Sequence, residues 1–262
     1  MLELGKAYRG LVKLKVLKVK HWTDKTFSFS VERPESLRFR SGEFVMIGLE
    51  NDESPILRAY SIASPNWSNQ LEFYSIKVRD GPLTSRLQNL KVDEHILLRP
   101  KPVGTLVLDA LLPGKRLILF STGTGIAPFA SLIRDPETYE KFEQIILTQT
   151  CREKSELDFG KSLIDEINND ELLSEIVDSK LSMISTTTRE SSDHMGRITD
   201  WLKTGKFEDF TGLPLNPFSD RVMICGSMEM LKSHKDICNK AELKEGANSN
   251  PSHFVIEKAF VE

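Results

Sequence analysis

The 262-residue chain has only three cysteines, Cys151, Cys225 and Cys238, and no two of them form a C-x-x-C pair. So small and scattered a set offers neither a disulfide framework nor a four-cysteine zinc or iron–sulfur site. Histidine is as sparse. The five in the chain make no H-E-x-x-H or comparable ligand pair, and no metal site is expected. Long apolar runs are missing too. The densest, Leu117-Ile118-Leu119-Phe120, is far too short to cross a bilayer, so no membrane association is expected. Met1-Leu2-Glu3-Leu4-Gly5-Lys6 lacks the basic start and apolar core of a signal peptide, and a cytoplasmic location is expected. The net charge is only −3 and no basic stretch carries interleaved aromatics, which argues against nucleic acid as a partner.

What remains is an ordinary soluble composition, 39% hydrophobic and 28% charged, on a chain long enough to bury two modest cores. Charge divides unevenly along it. Residues 1–112 hold 17 basic and 13 acidic side chains, and residues 113–262 hold 18 and 25, giving +4 and −7. With Leu112-Pro113-Gly114 at the junction, this predicts two domains, 1–112 and 113–262, with an acidic partner docking on the first.

The chain is organised around Ser121-Thr122-Gly123-Thr124-Gly125-Ile126-Ala127-Pro128, which follows the densest apolar run. A strand runs into a glycine turn, and Pro128 suits the first turn of a helix continued by Ala130, Leu132 and Ile133. Free N–H groups at such a helix start can face a phosphate. The stretch is neither G-x-G-x-x-G nor a P-loop, and by itself it fits a strand-to-helix turn of any α/β protein about as well as a nucleotide site.

Before this turn, residues 8–20 alternate apolar residues with lysine, but Lys13 and Lys15 stand in one phase and Lys18 and Lys20 in the other. A bulge or corner is therefore expected near Val16-Leu17. Further short strands are expected at 26–31, 44–49, 58–62, 71–78, 94–98 and 105–108, the spacing of an antiparallel barrel. A helix at 85–90, capped by Thr84 or Ser85, interrupts them. After Pro113, strands at 117–120, 145–150, 181–187, 221–225 and 254–258 alternate with helices at 128–134, 136–142, 155–168, 198–204 and 228–243. That alternation predicts a doubly wound parallel sheet, with ligands beyond the carboxyl ends of its strands.

Four ordered motifs carry a family resemblance: Arg58-Ala59-Tyr60-Ser61-Ile62-Ala63-Ser64, Gly81-Pro82-Leu83-Thr84-Ser85, the 121–128 turn, and Met223-Ile224-Cys225-Gly226. Together they resemble the ferredoxin–NADP reductase family, most closely the bacterial members without an iron–sulfur domain, over essentially the whole chain. The resemblance implies an N-terminal antiparallel FAD-binding β-barrel, a C-terminal doubly wound NADP-binding α/β domain, and the flavin in the seam. It implies that Arg58, Ala59, Tyr60 and Ser61 hold FAD, with the Arg58 guanidinium on phosphate, the Tyr60 ring on the isoalloxazine and Ser61 near N5. Pro82, Leu83 and Thr84 would cradle the pyrophosphate, and Tyr74, Ser75, Ile76 and Lys77 would run along the flavin.

On the NADP side the resemblance points to Thr124 and Gly125 in the turn, and to Arg152, Arg189 and Arg197 as the pocket for the adenosine 2′-phosphate. An enzyme using NADH would more naturally carry a carboxylate for the ribose hydroxyls, so NADPH is expected. Ser61, Cys225 and Glu257 are the expected active-site residues. Their task is alignment, because the hydride passes directly between nicotinamide and flavin. At the chain end Ala259 would cover the flavin face where plant-type relatives have an aromatic ring, while Phe260 and Glu262 would continue along FAD. The function implied is hydride transfer from NADPH to FAD, then reversible single-electron transfer to ferredoxin or flavodoxin by a monomer. An NADH-dependent reductase of an oxygenase and a non-catalytic nucleotide-binding electron-transfer subunit are the alternatives.

Overall fold

A computed structural model of the chain describes residues 8–52 and 54–258. The first half contains six strands: β1 (Val12–His21), β2 (Thr26–Glu32), β3 (Phe44–Leu49), β4 (Ile56–Ser61), β5 (Gln70–Ile76) and β6 (His95–Val103). They pair antiparallel in the order β4-β3-β6-β1-β2-β5. β1 shows how the sheet curls. Its residues 12–15 pair with β6, residues 16–21 pair with β2, and the register shifts between Val16 and Lys18. The change of lysine phase is this irregularity, which bends the strand so that each half buries its apolar side. The end strands approach each other where the Ala63 N–H donates to the Glu72 carbonyl at 2.8 Å and the Tyr60 and Ser75 hydroxyls lie 2.9 Å apart. Phe27, Phe29, Val45, Ile47, Phe73 and Leu98 fill the interior.

Two expectations for this half need correction. Residues 105–108 form no strand: Gly104, at φ +147°, turns the chain out of β6, and Leu106 and Val107 bury themselves with the parallel sheet instead. The helix expected at 85–90 is the single turn α1 (Thr84–Leu87), and neither Thr84 nor Ser85 caps it. The turn already begins at Leu83, and the Thr84 hydroxyl donates to the Val78 carbonyl at 3.3 Å.

The second half is a parallel sheet of β7 (Arg116–Thr122), β8 (Gln144–Cys151), β9 (Leu181–Thr187), β10 (Asp220–Gly226) and β11 (Phe254–Lys258), in the order β11-β10-β7-β8-β9. On one face lie α2 (Ala127–Leu132), α3 (Pro136–Lys141), α4 (Asp158–Asn169) and α5 (Glu171–Val177). On the other lie α6 (Ile198–Thr204), α7 (Lys206–Thr211) and α8 (Met228–Lys240). β7 serves both, Leu117 and Leu119 facing the first group and Ile118 and Phe120 the second. The helices α5 and α7, of seven and six residues, are additions to the helices expected from the sequence. Under the sheet Arg116 and Asp220, both almost wholly buried, form an ion pair at 2.6 Å. The guanidinium also donates to the carbonyls of Leu213 and Pro214.

The two sheets meet along an apolar seam. Tyr74 of β5 stacks on Phe159 of α4 with centroids 4.0 Å apart and planes 7° from parallel, and Trp22 meets the same ring edge-on. The Arg134–Glu72 ion pair at 2.8 Å closes the seam farther along.

Candidate functional site

The chain runs from β7 to β8 to β9 in one direction and then returns to lay β10 on the other side of β7. This reversal opens a crevice beyond the carboxyl ends of β7 and β10. Both strands end in closely approached backbone. A Cβ on Gly125 would stand 2.3 Å from the Cys225 carbonyl oxygen, and one on Gly226 would stand 2.4 Å from the Thr122 hydroxyl. Gly123 serves another need, since its φ is +54° with open space around it. Thus Gly123 sets the turn and Gly125 lets it nestle against β10, leaving the turn N–H groups at the crevice.

A cavity of about 490 Å³ occupies this place. Thr122, Thr124, Arg152 and Arg197 line it from the parallel sheet, while Ile76, Lys77 and Lys25 line it from the first sheet. The 13-residue α8 opens onto it through its N-cap Ser227, whose hydroxyl accepts from the Met230 N–H. The helix dipole therefore favours an anion there. Arg189 is not part of the lining but adjoins it, its N–H donating to the Arg152 carbonyl at 3.0 Å. Of the three expected arginines only Arg197 is paired among the described residues, with Glu229 at 3.1 Å.

On the first sheet, Arg58, Ala59, Tyr60 and Ser61 follow one another on β4, and Ser75 fixes the Tyr60 hydroxyl. Among the described residues Arg58 donates only to the neighbouring Leu57 carbonyl, an arrangement that suits its guanidinium to an anion. Ser75 is buried, Ile76 is half-buried, and the Lys77 ammonium donates to the Thr23 carbonyl. Tyr74 stacks its ring on Phe159 and is 4% exposed. Pro82 is exposed, and Leu83 fills the barrel core with its side chain. The backbone N–H groups of Leu83 and Thr84 have no hydrogen-bond partner among the described residues, which suits them to a phosphate.

Cys225 and Glu257 are partners in the β10–β11 register. Burial pushes the Cys225 thiol well above its ordinary range, and the nearby Glu257 carboxylate adds to the shift. Burial also raises Glu257 to about 7, against hydrogen bonds from Thr105 and Leu106 that favour its charged form. One of these is the Thr105 N–H at 3.0 Å. Glu257 lies 3.0 Å from where a Cβ on Gly104 would stand, in a corner shared with Glu43 and Phe44. Phe44 pairs with Ser61, so the structure gathers Ser61, Glu257 and Cys225 at one end of the seam. Ala259, Phe260 and Glu262 lie outside the described residues.

Sequence reasoning passed over Lys25, Thr105, Glu153, Ser227 and His234. Ser227 had a signal, a serine directly before a helical pattern. His234 lines the cavity, but burial lowers its pKa to about 4 and keeps it neutral near pH 7. Among the described residues no three potential metal ligands lie together, and no helix is long and apolar enough to cross a membrane.

The first sheet matches the oxidoreductase FAD-binding domain over residues 13–107, so the class of protein is a flavin-binding oxidoreductase. The chain is 60% identical over 248 residues to the flavodoxin/ferredoxin–NADP reductase of Rhodobacter capsulatus, covering 94% of this chain and 92% of that one. It is 50% identical to the ferredoxin–NADP reductase of Azotobacter vinelandii, covering 95% and 97%. A ferredoxin NADP+ reductase from Neisseria gonorrhoeae, solved with bound FAD and NADP, superposes with a TM-score of 0.87 at 30% identity, covering 96% and 99%. The chain belongs to the ferredoxin–NADP reductase family.

Proposed function

We propose that this protein binds FAD in the seam, accepts a hydride from NADPH and passes electrons singly to ferredoxin or flavodoxin, with the reverse flow also open to it. One observation carries the reading. The cavity at the carboxyl ends of the parallel strands is walled on its far side by Ile76 and Lys77 of the first sheet, so a dinucleotide held there reaches the strand that borders the flavin site. When bound, FAD supplies the conversion between two-electron and one-electron transfer. The residues of the chain bind and align. Arg58 and the 82–84 turn hold phosphates, Tyr60 offers its ring to the isoalloxazine, and Thr124, Gly125, Arg152, Arg189 and Arg197 hold the nicotinamide dinucleotide. Cys225, too deeply buried to ionise, presents an apolar surface to the nicotinamide, while Glu257 and Ser61 set the angle of approach.

In this reading residues 1–112 are the flavin domain and residues 113–262 the NADP domain, with Ala259, Phe260 and Glu262 returning to FAD. The protein works as a cytoplasmic monomer without nucleic acid. Cationic Arg152, Arg189 and Arg197 favour NADPH over the NADH of the oxygenase-reductase alternative. The test is anaerobic mixing of the yellow purified protein with NADPH, followed by added ferredoxin. Rapid flavin bleaching and then ferredoxin reduction are expected. A protein without flavin, or one whose flavin NADPH does not bleach, overturns the reading.

A further inference from the structure

Lys25, immediately before β2, reaches across the seam from the first sheet. Its ammonium lies 2.8 Å from the carboxylate of Glu153, in the loop after β8. Lys25 also lines the dinucleotide cavity, so the pair stands at the edge of that site. Both ends are half-exposed, at 43% and 46%, which makes the bond weak and exchangeable. The Glu153 loop does not need Lys25 for its shape. Glu153 and Glu156 form a reciprocal capping box around the short helical turn Lys154–Leu157, and the Glu156 carboxylate also accepts from the Arg152 N–H at 2.9 Å. Glu153 is surrounded by positive charge. The Lys25 hydrogen bond foremost, with Arg189 and Arg152 acting through space, holds its carboxyl below the usual range. A protein carboxylate thus rests among three cations at the rim of a cavity suited to a dinucleotide.

We propose that Lys25 is a phosphate-binding residue lent by the first sheet to the dinucleotide site, and that Glu153 is a built-in anion that holds the ammonium until a ligand phosphate displaces it. The inference rests on the NADP(H) reading above. A phosphate offers more charge and more acceptor oxygens than the carboxylate it replaces. Binding thereby exchanges one bridge between the sheets for another that runs through the ligand.

The exchange predicts shifts of opposite sign. NADP+ is titrated into the oxidised, FAD-loaded protein and followed by flavin difference absorbance. Lys25→Met is expected to weaken binding about tenfold through loss of a charge-assisted contact. Glu153→Gln keeps an acceptor for the capping box but removes the competing charge, and is expected to tighten binding about threefold. The double variant should behave like Lys25→Met. Parallel titrations with 2′-AMP and NAD+ identify the phosphate: loss confined to NADP+ and 2′-AMP assigns the 2′-phosphate, and loss confined to NADP+ and NAD+ assigns the pyrophosphate. If both single variants weaken NADP+, the pair is only a latch between the sheets and the inference is overturned, as it is if neither variant shifts. A wild-type protein that does not bind NADP+ would instead overturn the functional reading, and this inference with it.

Discussion

Cys225 and Glu257 stand side by side on adjacent parallel strands, so their side chains leave the same face of the sheet, the face turned toward the seam. Neither has the setting of an ordinary acid–base group. The thiol is held neutral by burial, and the carboxyl is raised to about 7 with Thr105 donating to it. A neutral sulfur and a carboxyl that is half-protonated near pH 7 leave this corner of the seam with little fixed charge.

The raised Glu257 sets a pH signature for stability. An exposed glutamate in the unfolded chain loses its proton near 4.5, whereas the folded one keeps it to about 7. Between these values the folded state binds more protons, so this group costs stability as pH rises, and the cost is complete above pH 7. Glu257→Gln removes the dependence. In denaturant unfolding, the advantage of the variant over wild type should be larger at pH 8 than at pH 5 by roughly 2–3 kcal/mol. Equal differences at the two pH values would mean that the carboxyl titrates as an exposed one.

Gly123 and Gly125 look interchangeable in the sequence, but their surroundings predict different responses. Gly123→Ala meets no neighbour and incurs only left-handed backbone strain, about 1 kcal/mol. Gly125→Ala drives a methyl into the Cys225 carbonyl and must move the turn away from β10. We expect Gly125→Ala to lose several times more stability than Gly123→Ala and to raise KM for NADPH. Unfolding curves and steady-state kinetics of the two variants make the comparison.

The Arg116–Asp220 pair joins the starts of β7 and β10, far from the strand ends that make the site. Asp220→Asn would leave a buried guanidinium without its counter-charge, at a cost of roughly 3–5 kcal/mol. Thermal unfolding should fall sharply. The flavin spectrum and NADPH affinity of the fraction that folds should stay near wild type.

Much of this architecture was legible in the sequence. The bounds of β3, β9, β11 and α6 follow from apolar alternation or apolar runs, and the lysine phase change located the register shift of β1. Local signals failed where distant packing decides. The apolar residues 105–108 look like a strand, but their partners are the parallel sheet and Glu257 of β11. The stack of Tyr74 on Phe159 joins residues far apart in the sequence, and neither neighbourhood signals it. The Lys25–Glu153 pair had no signal, because its members are 128 residues apart and meet only when the two sheets dock.

Nucleotide preference offers the sharpest test of the site residues read from the sequence. Arg152 and Arg189 sit on loops after β8 and β9 that are tied together by the Arg189 N–H and the Arg152 carbonyl. Arg197 approaches from the start of α6 but already shares charge with Glu229. The first two guanidiniums are therefore the ones freest to meet a 2′-phosphate, a group NADH lacks. Arg152→Ala combined with Arg189→Ala should raise KM for NADPH by at least about tenfold while changing KM for NADH little. Arg197→Ala alone should have the smaller effect, since the Arg197 charge is already shared with the Glu229 carboxylate. Equal losses for the two nucleotides in the double variant would show that these arginines hold a part common to both, and the 2′-phosphate assignment would fall.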